Sequence, residues 1–103
     1  MDIELFIPEP NKDQITVYSK SGCPNCSNVK KLLKEKQVNF IIIDCDDYIL
    51  EDKAAFLNFI RRLSGKEHNT FPFVFDGTRF IGGYKETFSY LEKLLDFDFE
   101  LIF

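Results

Sequence analysis

The amino-acid sequence predicts an α/β domain, a four-stranded mixed sheet in the order β-α-β-α-β-β-α with flanking helices. Three observations lead there. Two strand-like runs, Ile15–Tyr18 and Val38–Asp44, are joined by a helix-like stretch, which makes a crossover and hence a parallel pair. Further on, Asp76-Gly77 sits between the β-prone runs Phe71–Phe75 and Thr78–Ile81, a strong hairpin signal and so an antiparallel pair. Two other segments carry apolar residues at helical spacing, one before the hairpin and one after it.

In chain order, Gln14–Ser19 alternates Ile15 and Val17 against Thr16 and Tyr18, a strand pattern. The helix after it runs to about Lys36, with Cys26, Val29, Leu32 and Leu33 on one face. Pro24 fits its first turn, where a missing N–H costs nothing. The unbroken β-branched and aromatic run Val38–Asp44 suits a strand covered on both faces. A second helix is expected from about Ile49 to Ser64, with Leu50, Ala54, Leu57, Ile60 and Leu63 at helical spacing, Phe56 and Phe59 widening the face, and Gly65 as the stop. The loop Lys66–Thr70 is polar, and Pro72 must begin its strand or lie at an edge. Gly82-Gly83 breaks the chain before a final helix that places Tyr84, Phe88, Leu91 and Leu95 on one face. The alternating Phe97–Leu101 reads as a short edge strand or a packed tail.

A length of 103 residues suits one domain spanning 1–103, with an N-terminal extension over 1–13 and a C-terminal tail over 96–103. Ile3, Leu5 and Phe6 in the extension are able to pack on the body. Hydrophobic residues make up 45% and include twelve Phe, enough for a core. The net charge of −4, with acidic residues along Asp44–Asp47 and Asp96–Glu100, argues against a nucleic-acid surface, which needs a basic patch. No apolar run is long enough to span a bilayer, and no basic-then-apolar leader opens the chain. Three cysteines are an odd count and a poor disulfide framework, which fits a reducing interior. The expectation is a cytoplasmic monomer without membrane or nucleic-acid partners.

The chemistry concentrates in Lys20-Ser21-Gly22-Cys23-Pro24-Asn25-Cys26, a Cys-x-x-Cys set at a strand-to-helix turn. That is the pattern of a thiol–disulfide redox site. A thiolate attacks disulfides, and the unpaired N–H groups and dipole of a helix N-terminus stabilise it. Cys23 then sits exposed at the helix mouth and Cys26 about one turn in, shielded. The same spacing serves zinc, and Cys45 with His68 would complete a Cys₃His set, but both are isolated and far apart in sequence, so no metal is expected. Cys45, ending an apolar run, reads as a core or rim residue, and His68 as a solvated loop residue.

Taken together, Lys20 three residues before Cys23, Cys23-Pro24-Asn25-Cys26, Thr70-Phe71-Pro72, and Gly82-Gly83 beyond a hairpin resemble the glutaredoxin family, over about Gln14 to Leu95. The resemblance implies a thioredoxin fold, a cis peptide before Pro72, and a groove for glutathione as co-substrate. It makes Cys23 the nucleophile and Cys26 the resolving thiol, with Lys20 near the thiolate and a glutathione carboxylate. It sets the Phe71 backbone against the glutathione peptide, and Gly83, Tyr84 and Lys85 at the γ-glutamyl end. The implied partners are glutathione and disulfide-bearing or glutathionylated proteins. A polar contact from the preceding helix or loop falls on Asn58, Arg61 or Lys66. Two positions depart from the family pattern: Asn25 stands where Tyr is frequent along the groove, and Lys85 where an acidic residue usually holds the γ-glutamyl ammonium. They motivate an alternative, a dedicated electron donor, for example to ribonucleotide reductase, recharged by thioredoxin reductase. An iron–sulfur carrier in which Cys23 of two chains ligates one cluster is a further alternative, and Pro24 is associated with family members that do not do this.

Overall fold

The computed structural model describes the backbone of residues 6–101 and the side chains of residues 6–94. In chain order the elements are β1 (Ile15–Ser19), α1 (Pro24–Glu35), β2 (Phe40–Asp44), α2 (Asp46–Ser64), β3 (Phe73–Asp76), β4 (Arg79–Gly82) and α3 (Tyr84–Leu101). The sheet order is β2-β1-β3-β4, with β1 parallel to β2 and antiparallel to β3, and β3 antiparallel to β4. The predicted element order and the mixed, four-stranded α/β architecture are therefore what the chain forms.

Strand alternation divides the core in two. Ile15 and Val17 of β1 and Val74 of β3 pack with Val29, Leu32 and Leu33 of α1 and Leu91 of α3. Tyr18, Phe73 and Phe75 face the other way, onto Cys45 and onto Phe56 and Ile60 of α2. The Tyr18 and Phe75 rings meet edge-on at 5.6 Å, an arrangement that adds to area burial. β1 thus lies at the centre of the sheet with both faces covered, and it ends where the Cys-x-x-Cys loop begins.

Five expectations are corrected. β2 is an edge strand covered only in part on each face: Phe40 and Ile43 pack against the two core clusters from opposite faces, while Ile42 is 38% exposed. Helix α2 starts at Asp46, earlier than expected, and breaks at Asp52 (φ −161°, ψ 90°), whose carboxylate accepts from Ala55 N at 3.0 Å. Asp52 therefore caps a second helical piece, and the change of phase leaves Leu50 82% exposed while Phe56 and Ile60 centre the buried face. In the hairpin, Asp76 pairs with Arg79, so the two turn residues are Gly77-Thr78. Gly77 takes φ 60°, as a turn with glycine first requires. In α3 the buried face is Thr87 and Leu91, flanked by Tyr84, and Phe88 is 44% exposed.

Of the N-terminal extension, Ile7 rather than Phe6 packs into the α2 side of the core, and Phe6 is 84% exposed. Tyr18 Oη donates to Pro8 O at 2.6 Å and Asn11 N donates to Thr16 Oγ1 at 2.9 Å, tying the extension to β1. Ile3, Leu5 and the Leu95 side chain lie outside the described residues. The backbone of α3 is helical through Leu101, so Phe97–Leu101 is not an edge strand. Among the described residues no helix is long and apolar enough to cross a membrane.

Candidate active site

From the end of β1 the chain turns through Lys20–Gly22, with Gly22 at φ 69°, and enters α1. Cys23 is the N-cap of α1, with extended backbone (φ −110°, ψ 105°) and Pro24 directly after it. Cys23 Sγ accepts from Cys26 N at 3.1 Å, the contact a Ser or Asp oxygen would make at a helix start. The same geometry favours negative charge on sulfur, since the N–H and the dipole both point at it. The two Sγ atoms lie 2.50 Å apart with Cα atoms at 5.2 Å, a disulfide-distance pair. Cys26 is 1% exposed and packed with α1's buried face, whereas Cys23 is half-buried and opens to solvent.

The loop is held from behind by α2. Asp46 accepts from Ser21 Oγ at 2.5 Å and from Ser21 N at 2.9 Å. These bonds hold the exposed Asp46 carboxyl below its ordinary range, with Lys20 adding in the same direction. A cleft of about 460 Å³ lies in front of the cysteines, lined by Lys20, Cys23, Asn25, Lys53, Thr70 and Phe71 among others. It shares Asn25, Thr70 and Phe71 with a second cleft of about 440 Å³ that continues to Gly83, Tyr84, Lys85 and Glu86. Together they form one trough past the cysteines.

Phe71 is the trough's fixed wall. Its ring stacks on Phe56 (5.5 Å, 9°) and meets Phe73 edge-on (4.9 Å, 76°), and Lys20 Nζ lies 5.5 Å from its centroid. The Phe71–Pro72 peptide is cis, and Pro72 is buried just before β3. At the far end Gly83 directly precedes α3. Gly83 N donates to Glu86 Oε1 at 2.8 Å, and Gly83 O accepts from Thr87 Oγ1 at 2.7 Å and from Thr87 N at 3.0 Å. The glutamate three residues in thus reaches back to the cap, as in a capping box. Glycine is required just before it. Gly82 has φ 135°, and a Cβ there would lie 2.7 Å from Glu86 Cβ.

Lys20, Cys23, Asn25, Phe71, Gly83, Tyr84 and Lys85 all line the trough, while Cys26 and Pro72 lie buried behind it. Asn58, Arg61 and Lys66 do not line it; the cation contributed by α2 is Lys53, directly after the Asp52 break. An Asp ahead of Lys53-Ala54-Ala55 was the available cap signal. His68 is not a solvated loop residue. It is half-buried, edge-on to Phe73 (5.3 Å) and Phe80 (5.5 Å), with Nε2 buried and without a hydrogen-bond partner among the described residues. Cys45 is fully buried, its Sγ donating to Ile43 O at 3.4 Å, and burial pushes its thiol up to about 12. Cys45 and His68 therefore do not join the cysteine pair, and among the described residues no three His, Cys, Asp or Glu converge as metal ligands.

The family model for glutaredoxin matches residues 15–81. Glutaredoxin 1 of Rickettsia typhi is 33% identical over 87 residues, covering 80% of this chain and 79% of the relative. The mitochondrial glutaredoxin-2 of Mus musculus is 32% identical over 73 residues, 71% of this chain and 44% of that longer protein. Among solved structures, glutaredoxin 1 from Francisella tularensis, complexed with cacodylate, superposes with a TM-score of 0.69 at 25% identity, over 80% of this chain and 95% of that one. A buckwheat glutaredoxin–glutathione complex superposes at 0.66 with 29% identity, over 81% and 72%.

Proposed function

The chain belongs to the glutaredoxin family and is a thiol–disulfide oxidoreductase of thioredoxin-like fold, and from that premise we propose that it is glutathione-dependent, with Cys23 as nucleophile and Cys26 as resolving thiol. The observation that carries the assignment of roles is the asymmetry of the pair. Cys23 caps α1 and is open to the trough, whereas Cys26 is shut away in the core face of the helix.

The Cys23 thiolate attacks the glutathionyl sulfur of a glutathionylated substrate. A Cys23–glutathione disulfide forms, the substrate thiolate leaves, and it takes up a proton from water. A glutathione thiolate then attacks the glutathionyl sulfur, oxidised glutathione departs, and the Cys23 thiolate is restored. With a protein disulfide, Cys23 forms the mixed disulfide and the Cys26 thiolate attacks the Cys23 sulfur. The reduced protein is released, and two glutathiones reduce the Cys23–Cys26 disulfide in turn. Glutathione fits the trough as an extended peptide beside Phe71, one carboxylate toward Lys20 and Lys53 and the other toward Lys85. Support for this ligand comes from the buckwheat relative solved as a glutathione complex. A buried free thiol in addition to the redox pair suits a reducing cytoplasm.

Lys85 favours a second reading. A cation at that end of the trough repels the γ-glutamyl ammonium, as expected of an electron donor recharged by thioredoxin reductase instead. NADPH consumption through glutathione reductase, with a small glutathione mixed disulfide as substrate, separates the two. Turnover with glutathione supports the first reading. Turnover only with thioredoxin reductase supports the second.

A further inference from the structure

The trough does not stop at Lys85. Lys85 and Glu86 also line a groove of about 410 Å³ between the β4 edge and α3, where Arg79, Ser89, Tyr90 and Lys93 complete the rim. β4 ends the sheet, so its outer backbone faces this groove without a neighbouring strand among the described residues.

The charges here run against the protein's balance of −4. Arg79, Lys85 and Lys93 bring three cations, and none forms an ion pair with a carboxylate among the described residues. Against these stand two nearby carboxylates, Glu86, which also caps Gly83 N, and Asp76, which accepts the Tyr90 hydroxyl, so the cations still outnumber the anions. The bond to Asp76 raises the Tyr90 pKa, so the ring stays neutral and adds no negative charge to the groove.

Resting on the glutathione-linked reading above, we propose that this groove receives an extended acidic segment of a protein-disulfide substrate while it is joined to Cys23, before glutathione enters the trough. The continuous cleft lets one chain run from the cysteine pair past Lys85 to Arg79 and Lys93. Lys85 and Lys93 are eight residues apart on one stripe of α3, about 12 Å along its axis. Acidic residues four apart in an extended chain span about 13 Å on one face, which matches.

The test uses a peptide with one intramolecular disulfide and two Glu four apart, placed on the N-terminal or the C-terminal side of the attacked cysteine, against Gln versions, with its reduction coupled through glutathione. One Glu peptide should show about fivefold to tenfold higher kcat/KM than its Gln partner at low salt, as two exposed pairs supply. Added salt should erase the difference. In the Arg79→Glu/Lys93→Glu protein the preference should fall below about twofold, with turnover of cysteine–glutathione mixed disulfide unchanged. Equal turnover of Glu and Gln peptides by the natural protein, or a preference that survives the double variant, overturns the proposal. If the small mixed disulfide is not turned over at all, the glutathione-linked reading fails. The groove is then judged by titrating a cysteine-free Glu peptide, with saturable amide shifts at Arg79, Tyr90 and Lys93 expected and none overturning it.

Discussion

Replacing Gly82 by Ala probes the coupling between fold and trough. Gly82 has φ 135°, a conformation that costs a residue with a Cβ about 1–3 kcal/mol. The new Cβ would lie 2.7 Å from Glu86 Cβ and Cγ and 2.9 Å from Oε1. The carboxylate can swing away, but Glu86 Cβ is fixed to the first turn of α3, so the turn itself must shift. Losing the Glu86 bond to Gly83 N removes a cap worth about 0.5–2 kcal/mol. The sum, about 1.5–5 kcal/mol, corresponds to a Tm lower by at least about 6 °C in a chain of this size. Thermal unfolding followed by circular dichroism measures it. Because Gly83, Tyr84 and Lys85 ride on the same turn, the KM for a glutathione mixed disulfide should rise while reduction of the Cys23–Cys26 disulfide by a small dithiol keeps its rate. A Tm within about 2 °C of the natural protein, or an unchanged KM, would refute the reasoning.

Cys45, buried and with its thiol pushed up to about 12, should resist alkylation in the reduced native protein; mass spectrometry after maleimide treatment should find it labelled only under denaturant. Because that folded pKa lies above the ordinary 9.0, its stabilising contribution is complete below about pH 9 and is lost as pH rises toward 12. Urea unfolding should therefore show natural protein losing up to about 1.4 kcal/mol per pH unit more than Cys45→Ala across that window. The lowered Asp46 carboxyl gives the opposite sign: the Ser21 clamp is complete above the ordinary Asp range and is lost only as pH falls through the lowered pKa. Hydrogen exchange at the Ser21 amide should be slow at neutral pH and fast in Asp46→Ala. Lys53→Ala should raise the KM for a glutathione mixed disulfide about two- to fivefold with kcat unchanged, read in the coupled assay.

What the sequence made legible was local. The Cys-Pro junction announced a helix start with a sulfur at the cap, and Asp-Gly announced a hairpin, because turn and cap chemistry are fixed by a few adjacent residues. Positions set by tertiary order were not legible. The unbroken Ile41-Ile42-Ile43 run gives no sign that β2 lies at the sheet edge, since strand order depends on where β3 inserts. One Asp at position 52 rephased α2, turning Leu50 outward and bringing Lys53 rather than Asn58 or Arg61 to the trough. His68 sits in a polar stretch, yet Phe73 and Phe80, both distant in sequence from it by several residues and folded back by the hairpin, enclose its ring.

The most direct test of the account is to expose reduced Cys26→Ser protein to oxidised glutathione and map the adduct by mass spectrometry. A single glutathionyl group on Cys23, released by added reduced glutathione, is the predicted result, because the cap-position sulfur is the one open to the trough. An adduct on Cys45, or no adduct on Cys23 in a folded protein, would contradict the assignment of Cys23 as the glutathione-linked nucleophile.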